Sequence, residues 1–161
     1  MKERYWKFMY QKKHRIFYLD LYREKYVLIN IVLRCITALT SSASIAAWAI
    51  WKDFAYVWAF IIAVSQVISA IYEILPFKNR IIDMSALSSK WSGLYTQIEH
   101  EWYLIQNEEI SDNDINDLIT KYTQAWDAID DNFFKNDVLP KNIRIENKSK
   151  EATKNYFAYN F

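Results

Sequence analysis

The chain is short of the residues that make tight turns and reactive sites. Among its 161 residues there is one glycine, Gly93, and there are two prolines, Pro76 and Pro140. Strand-to-strand turns rely on such residues, so an all-β fold is nearly excluded. The single cysteine, Cys35, makes no intrachain disulfide, which argues against a stapled secreted domain. Cys35 also sits in apolar sequence, a poor setting for a thiolate nucleophile. The two histidines, His14 and His100, lack metal-ligand spacing with Cys35 or with acids. His100 lies between Glu99 and Glu101 and reads as part of a solvated helix face. A lone glycine cannot build a phosphate-cradling loop. Twenty-six residues rich in charged and aromatic side chains precede the first apolar run, so no signal peptide is evident. No catalytic constellation emerges, and the expectation is a non-enzyme without cofactor or metal.

Aromatic and apolar residues are abundant, at 17% and 52%. With so few turn residues, an all-α protein is expected. The strongly apolar sequence is concentrated between residues 27 and 77. Residues 27–51, "VLINIVLRCITALTSSASIAAWAIW", carry one charge, Arg34. Residues 54–72, "FAYVWAFIIAVSQVISAIY", carry none; Glu73 and Pro76 close the run. A bilayer core about 30 Å thick takes roughly 20 helical residues, so either run suffices. Helices apolar nearly all round are unusual in a soluble core of this size. The reading is a transmembrane hairpin over 27–77, with spans at about 27–51 and 54–75; a buried helical hairpin of a soluble protein is the alternative.

Only Lys52 and Asp53 separate the runs, which forces an antiparallel turn. Trp48, Trp51, Trp58 and Tyr56 cluster around it, as at a membrane–water interface. Arg15, Arg23 and Lys25 precede the first span, and Lys78 and Arg80 follow the second. By the positive-inside rule both termini are cytoplasmic. Arg34 lies 18 residues before Lys52, and Glu73 lies 20 after Asp53. They therefore fall at similar depth, where they either pair, within or between subunits, or snorkel separately to the headgroups.

Arg34, Thr37, Ser41 and Ser44 share one helix face, and Gln66, Ser69 and Glu73 share another. Such stripes serve close helix contact, or they line a water-filled path. Two helices cannot enclose a pore, so the second reading requires a homo-oligomer.

The flanks are polar and oppositely charged. Residues 1–26 hold eight Lys or Arg against three acids, whereas 82–135 hold eleven acids against three lysines. The first 26 residues read as a basic aromatic helix with Trp6, Tyr10, Phe17 and Leu21 near one face. It could lie on membrane lipid, pack on the acidic region or continue into the first span. Nucleic acid is the weaker explanation of its charge beside a span, and no nucleic-acid partner is expected.

Residues 78–135 read as a cytoplasmic antiparallel helical hairpin. Its expected core is Leu87, Trp91, Leu94, Ile98 and Trp102 from one helix. The other contributes Ile115, Leu118, Ile119, Tyr122, Trp126, Ile129 and Phe133. "NEEISDND" separates them, with Ser111 and Asp114 resembling a capping box. The tail, 136–161, has room for a short helix. Its Tyr156, Phe157, Tyr159 and Phe161 suggest a docking plug, since so many exposed aromatics are costly.

This layout resembles the SLATT family, two-transmembrane effector domains associated with SMODS and SLOG modules in bacterial conflict systems. The similarity lies in the basic first helix, the minimal-turn hairpin, "FKNRIIDMSALSSKWSGLYTQIEHEW" and "LITKYTQAWDAID". It covers most of the chain and is architectural. The resemblance implies an inner-membrane effector of anti-phage, abortive-infection defence. Such an effector oligomerises and permeabilises the membrane on a signal from a partner sensor or a nucleotide cyclase. A membrane-anchored scaffold that only binds partners is the alternative.

Overall fold

A computed structural model of the chain describes residues 1–50, 55–74, 77–133 and 140–161, without the side chains of 39–50, 55, 58, 71–74 and 77. The Lys52–Asp53 turn, with Trp51, lies outside the described residues, as do the side chains of Trp48 and Trp58. Among the described residues there are five helices and no strand. They are α1 (Lys2–Ile50), α2 (Ala55–Ile74), α3 (Phe77–Gln106), α4 (Asp112–Asp130) and α5 (Ile143–Asn160). The protein is all-α. Among the described residues no helix is long and apolar enough to cross a membrane. The two apolar runs of the sequence extend into residues beyond those described.

The chain divides into two compact units, Met1–Arg23 with Ile82–Phe161, and Glu24–Ile81. The basic N-terminal segment is not a separate helix. It is the first part of α1, which continues unbroken to Ile50.

The first unit is a bundle of α1, α3 and α4 with α5 laid on it. On α1 the buried residues are Tyr5, Met9, Lys12, Ile16, Leu19 and Tyr22. On α3 they include Met84, Leu87, Trp91, Tyr95, Ile98, Trp102 and Ile105; on α4 they are Ile115, Ile119, Tyr122 and Trp126. Steps of three and four recur on all three helices, a period near 3.5 that keeps each stripe facing its neighbours. Full burial of one such apolar side chain contributes about 1.5–3 kcal/mol. Some polar atoms at the seams find partners, while the Tyr95 hydroxyl and the indole nitrogens of Trp102 and Trp126 are buried without a hydrogen bond. Tyr5 donates its hydroxyl to the Ile98 carbonyl at 2.9 Å, and Ser88 donates to Asp20 at 2.7 Å. The Trp91 indole N–H reaches Asp130 at 2.8 Å, and its ring stacks on Trp126 at 4.8 Å.

Both junctions follow helix-end chemistry. At the end of α3, Glu109 N–H bonds the Leu104 carbonyl and Glu108 N–H bonds the Ile105 carbonyl. Glu108 takes φ 63° to allow it. This is the Schellman arrangement, filled here without glycine. At the start of α4, the Ser111 hydroxyl accepts from Asp114 N–H at 3.4 Å and donates to the Asp114 carboxylate at 2.6 Å. Asn142 caps α5, accepting from the N–H groups of Arg144 and Ile145 at 3.1 and 3.2 Å.

In the second unit, Arg80 donates to the Tyr26 hydroxyl at 3.1 Å, tying α3 to α1. Among its described residues, many apolar side chains are uncovered. Leu28, Ile31 and Val32 on α1 are at least half exposed, and so are Tyr56, Val57, Phe60 and Val67 on α2.

Candidate functional site

Two regions carry unusual chemistry, one in each unit. In the second unit it is the polar stripe on an apolar background. Arg34 is exposed and Thr37 half-buried on α1, with Gln66 exposed and Ser69 half-buried on α2. Thr37 donates to the Leu33 carbonyl at 2.9 Å, so its hydroxyl is satisfied within its own helix. The side chains of Ser41, Ser44 and Glu73 lie outside the described residues, and with them the Arg34–Glu73 pair. Ser65, absent from the expected stripe, is a buried polar residue of α2 at 4% exposure, donating to the Ile62 carbonyl at 2.8 Å. Cys35 is exposed beside Arg34.

In the first unit, the hairpin residues expected from sequence divide into two groups. Leu87, Trp91, Ile98, Trp102, Ile115, Ile119, Tyr122 and Trp126 are buried; Leu94, Leu118, Ile129 and Phe133 are half-buried. Trp6, Tyr10, Phe17 and Leu21 are only half-buried, and the fully buried face is the neighbouring one through Tyr5 and Met9. Two faces of α1 are in use because two sets of helices cover it. The Tyr5 face meets α3 and α4; the Trp6 face meets α5 and touches α3 at its edge, where Trp6 lies 5.0 Å from Trp102 and Lys13 4.5 Å from Tyr95.

Two lysines on this segment of α1 lie among aromatic rings. Lys12 is 7% exposed, with its ammonium 4.4 Å from the Trp126 ring centre and 5.3 Å from that of Phe8. Burial, with Arg15 adding repulsion, pushes its pKa down to about 8; Asp127 and Asp130 oppose the shift. Lys13 lies 3.8 Å from the Tyr156 ring, 4.5 Å from Tyr95 and 5.3 Å from Phe17. Burial lowers its pKa as well, against the pull of Glu99 and Asp20. Cation–π contact offsets part of the lost hydration in both cases.

The tail aromatics complete this second region. Phe157 lies against Trp6 and Tyr10 at 4.9 and 5.0 Å, and Phe161 against Trp6 and Tyr103 at 5.4 and 5.9 Å. Tyr156 donates to Glu99 at 2.6 Å. Tyr159 instead points outward, 90% exposed. His14 Nε2 lies 2.9 Å from Ser149 Oγ. The signal for this contact was faint in the sequence, because a histidine and a serine 135 positions apart carry no spacing rule.

The opposite charges of the two flanks do meet. Lys2 pairs with Glu108 at 3.2 Å, Arg4 donates to Asn116 at 2.8 Å, and Arg15 lies 3.9 Å from Asp130. These contacts are exposed and each contributes under about 1 kcal/mol. Near them, Glu101, Glu109, Asp114, Asp117, Leu118 and Lys121 line a shallow depression of about 500 Å³. Among the described residues, no group of three His, Cys, Asp or Glu side chains is placed to hold a metal ion.

No protein-family model, no curated protein and no solved structure matches the chain.

Proposed function

We propose that the chain is a bacterial inner-membrane effector of anti-phage, abortive-infection defence. In this reading residues 27–77 form a two-span hairpin with both termini cytoplasmic. Copies assemble and permeabilise the membrane when a partner sensor or a nucleotide signal triggers them. The protein does no bond chemistry of its own. The observation that supports the reading is the uncovered apolar surface of the second unit. Tyr56, Val57, Phe60 and Val67 are 54–92% exposed, on a helix that also carries Gln66 and Ser69. Water is a poor solvent for such a face, and lipid or a second copy is a good one. The resemblance to the SLATT layout supplies the biological setting.

Arg34 gives the path its charge. It is exposed on α1 among apolar residues, where lipid is a costly neighbour. An aqueous path or an acidic partner such as Glu73 accommodates it. Induced expression in a bacterial host should collapse the membrane potential, read with a potential-sensitive dye. Arg34→Glu and Glu73→Arg should each weaken the effect, and the double exchange should restore it. An unchanged potential at high expression, with and without phage challenge, overturns the pore reading.

A membrane-anchored scaffold is the second reading, supported by the acidic depression around Asp114 and Asp117. It predicts membrane attachment with intact potential, and loss of partner binding on reversing those charges.

A further inference from the structure

The buried seam of α5 is Ile145, Ser149, Thr153 and Phe157, one residue every four. Two of these four are hydroxyl residues bonded to their own helix. Ser149 donates to the Glu146 carbonyl at 2.9 Å and Thr153 to the Ser149 carbonyl at 2.6 Å. The middle of α5 thus brings little apolar area to α1. Apart from the His14–Ser149 contact at 2.9 Å, its attachment is concentrated at the two ends. At the first turn, Ile145 is buried, and the Tyr18 hydroxyl accepts from Asn142 N–H at 3.1 Å. At the last, Tyr156, Phe157 and Phe161 sit among the rings of Trp6, Tyr10, Tyr95 and Tyr103.

The surface beneath α5 is equally mixed. Lys13 and His14 are half-buried there, each with a pKa lowered first by burial. Both would regain hydration if α5 left. By contrast, all four buried residues of α4 are Ile, Tyr or Trp. The faces of α1 also differ. Tyr5, Met9, Ile16 and Leu19 close the core with α3 and α4, whereas α5 covers the Trp6, Tyr10 and Lys13 side. Departure of α5 therefore leaves the three-helix core shut, and local opening is cheapest where buried apolar contact is thinnest.

We propose that α5 is a releasable latch, a helix that docks on α1 through an aromatic end and leaves as one piece while α1, α3 and α4 stay folded. Docked, it covers the aromatic and basic strip of Trp6, Tyr10 and Lys13. Released, it offers that strip to a competitor. Its link to a membrane leak rests on the function proposed above, because α1 is the helix that continues into the apolar unit.

The direct test is amide hydrogen exchange on the full chain. The α5 amides should exchange at least roughly tenfold faster than those buried in α4, and Phe157→Ala should widen the gap without altering α4. Equal rates in α4 and α5, or a Phe157→Ala effect shared by both, would overturn the latch. In a Cys35→Ala background, His14→Cys with Ser149→Cys gives a thiol pair for a short bis-maleimide staple, since the 2.9 Å contact is made by the imidazole tip, beyond the reach of a direct disulfide. Stapling should bring α5 exchange to the α4 rate and suppress dye efflux from reconstituted vesicles; the same double variant without the bridging reagent should show neither change. Efflux that ignores a closed staple overturns the latch as regulator. Absence of efflux in every state counts against the pore, while the exchange rates still decide whether α5 releases.

Discussion

The two units use the same kinds of residue in opposite ways. In the first, Trp126 is fully buried, stacked on Trp91 and faced by the Lys12 ammonium. In the second, Val57 is 54% and Phe60 69% exposed on a helix with few polar residues. The first unit covers its own apolar surface with its own helices. The described part of the second leaves much of its apolar surface exposed. A stable fold and a stable assembly are therefore different problems for this chain, and substitutions should separate them.

Trp126→Ala should produce the largest loss. It removes a fully buried ring and strands Lys12, and Phe/Trp→Ala changes in cores cost about 3–5 kcal/mol. Chemical denaturation followed by tryptophan fluorescence reads this, and a loss near zero would break the contrast from the first unit's side. Val64→Arg tests the other side. A charged residue near the middle of a span costs about 2.5–3.5 kcal/mol of insertion. The substitution should lower the membrane-bound fraction and leave the denaturation of the first unit unchanged. A smaller effect, of opposite sign, is expected at Glu108. Its positive φ is costly for a side chain and free for glycine, so Glu108→Gly should stabilise by up to about 1 kcal/mol. The exposed Lys2–Glu108 pair it removes offsets little of that gain.

The smallest effect is a pH dependence of α5 docking. Burial holds the His14 pKa below its usual 6.5; Arg15 and Lys150 add to this, and the Glu146 carbonyl and carboxylate oppose it. Released or unfolded chain takes up the proton first as pH falls. The contribution of His14 to docking is therefore fully present well above pH 6.5 and is lost as pH drops below it. The ratio of α5 to α4 exchange should rise between about pH 7.5 and about pH 5.5, and His14→Gln should flatten that rise.

The legibility of these regions in sequence follows the purity of their patterns. On α4 the apolar stripe is uninterrupted and Ser111 marks its start, so both the helix and its buried residues could be read directly. On α1 the buried face includes Lys12, and a stripe containing a lysine reads as polar until the Trp126 ring beneath it is seen. The half-buried Trp6 face looked more apolar than the face that forms the core. The tail helix was harder still, because Ser149 and Thr153 occupy two of its four buried positions. Its aromatic end was visible, and three of its four aromatics do dock. In the second unit, Ser65 rather than its neighbour Gln66 is buried, a one-residue shift that hydropathy alone does not resolve.

Cys35 offers the most direct test of the central claim, that lipid or neighbouring copies cover the second unit. It is the one cysteine of the sequence and is exposed on the apolar part of α1. In native membranes it should resist a water-soluble maleimide and react fully once the membrane is dissolved in denaturing detergent. Rapid labelling before dissolution, with the protein recovered in the soluble fraction, would contradict the account.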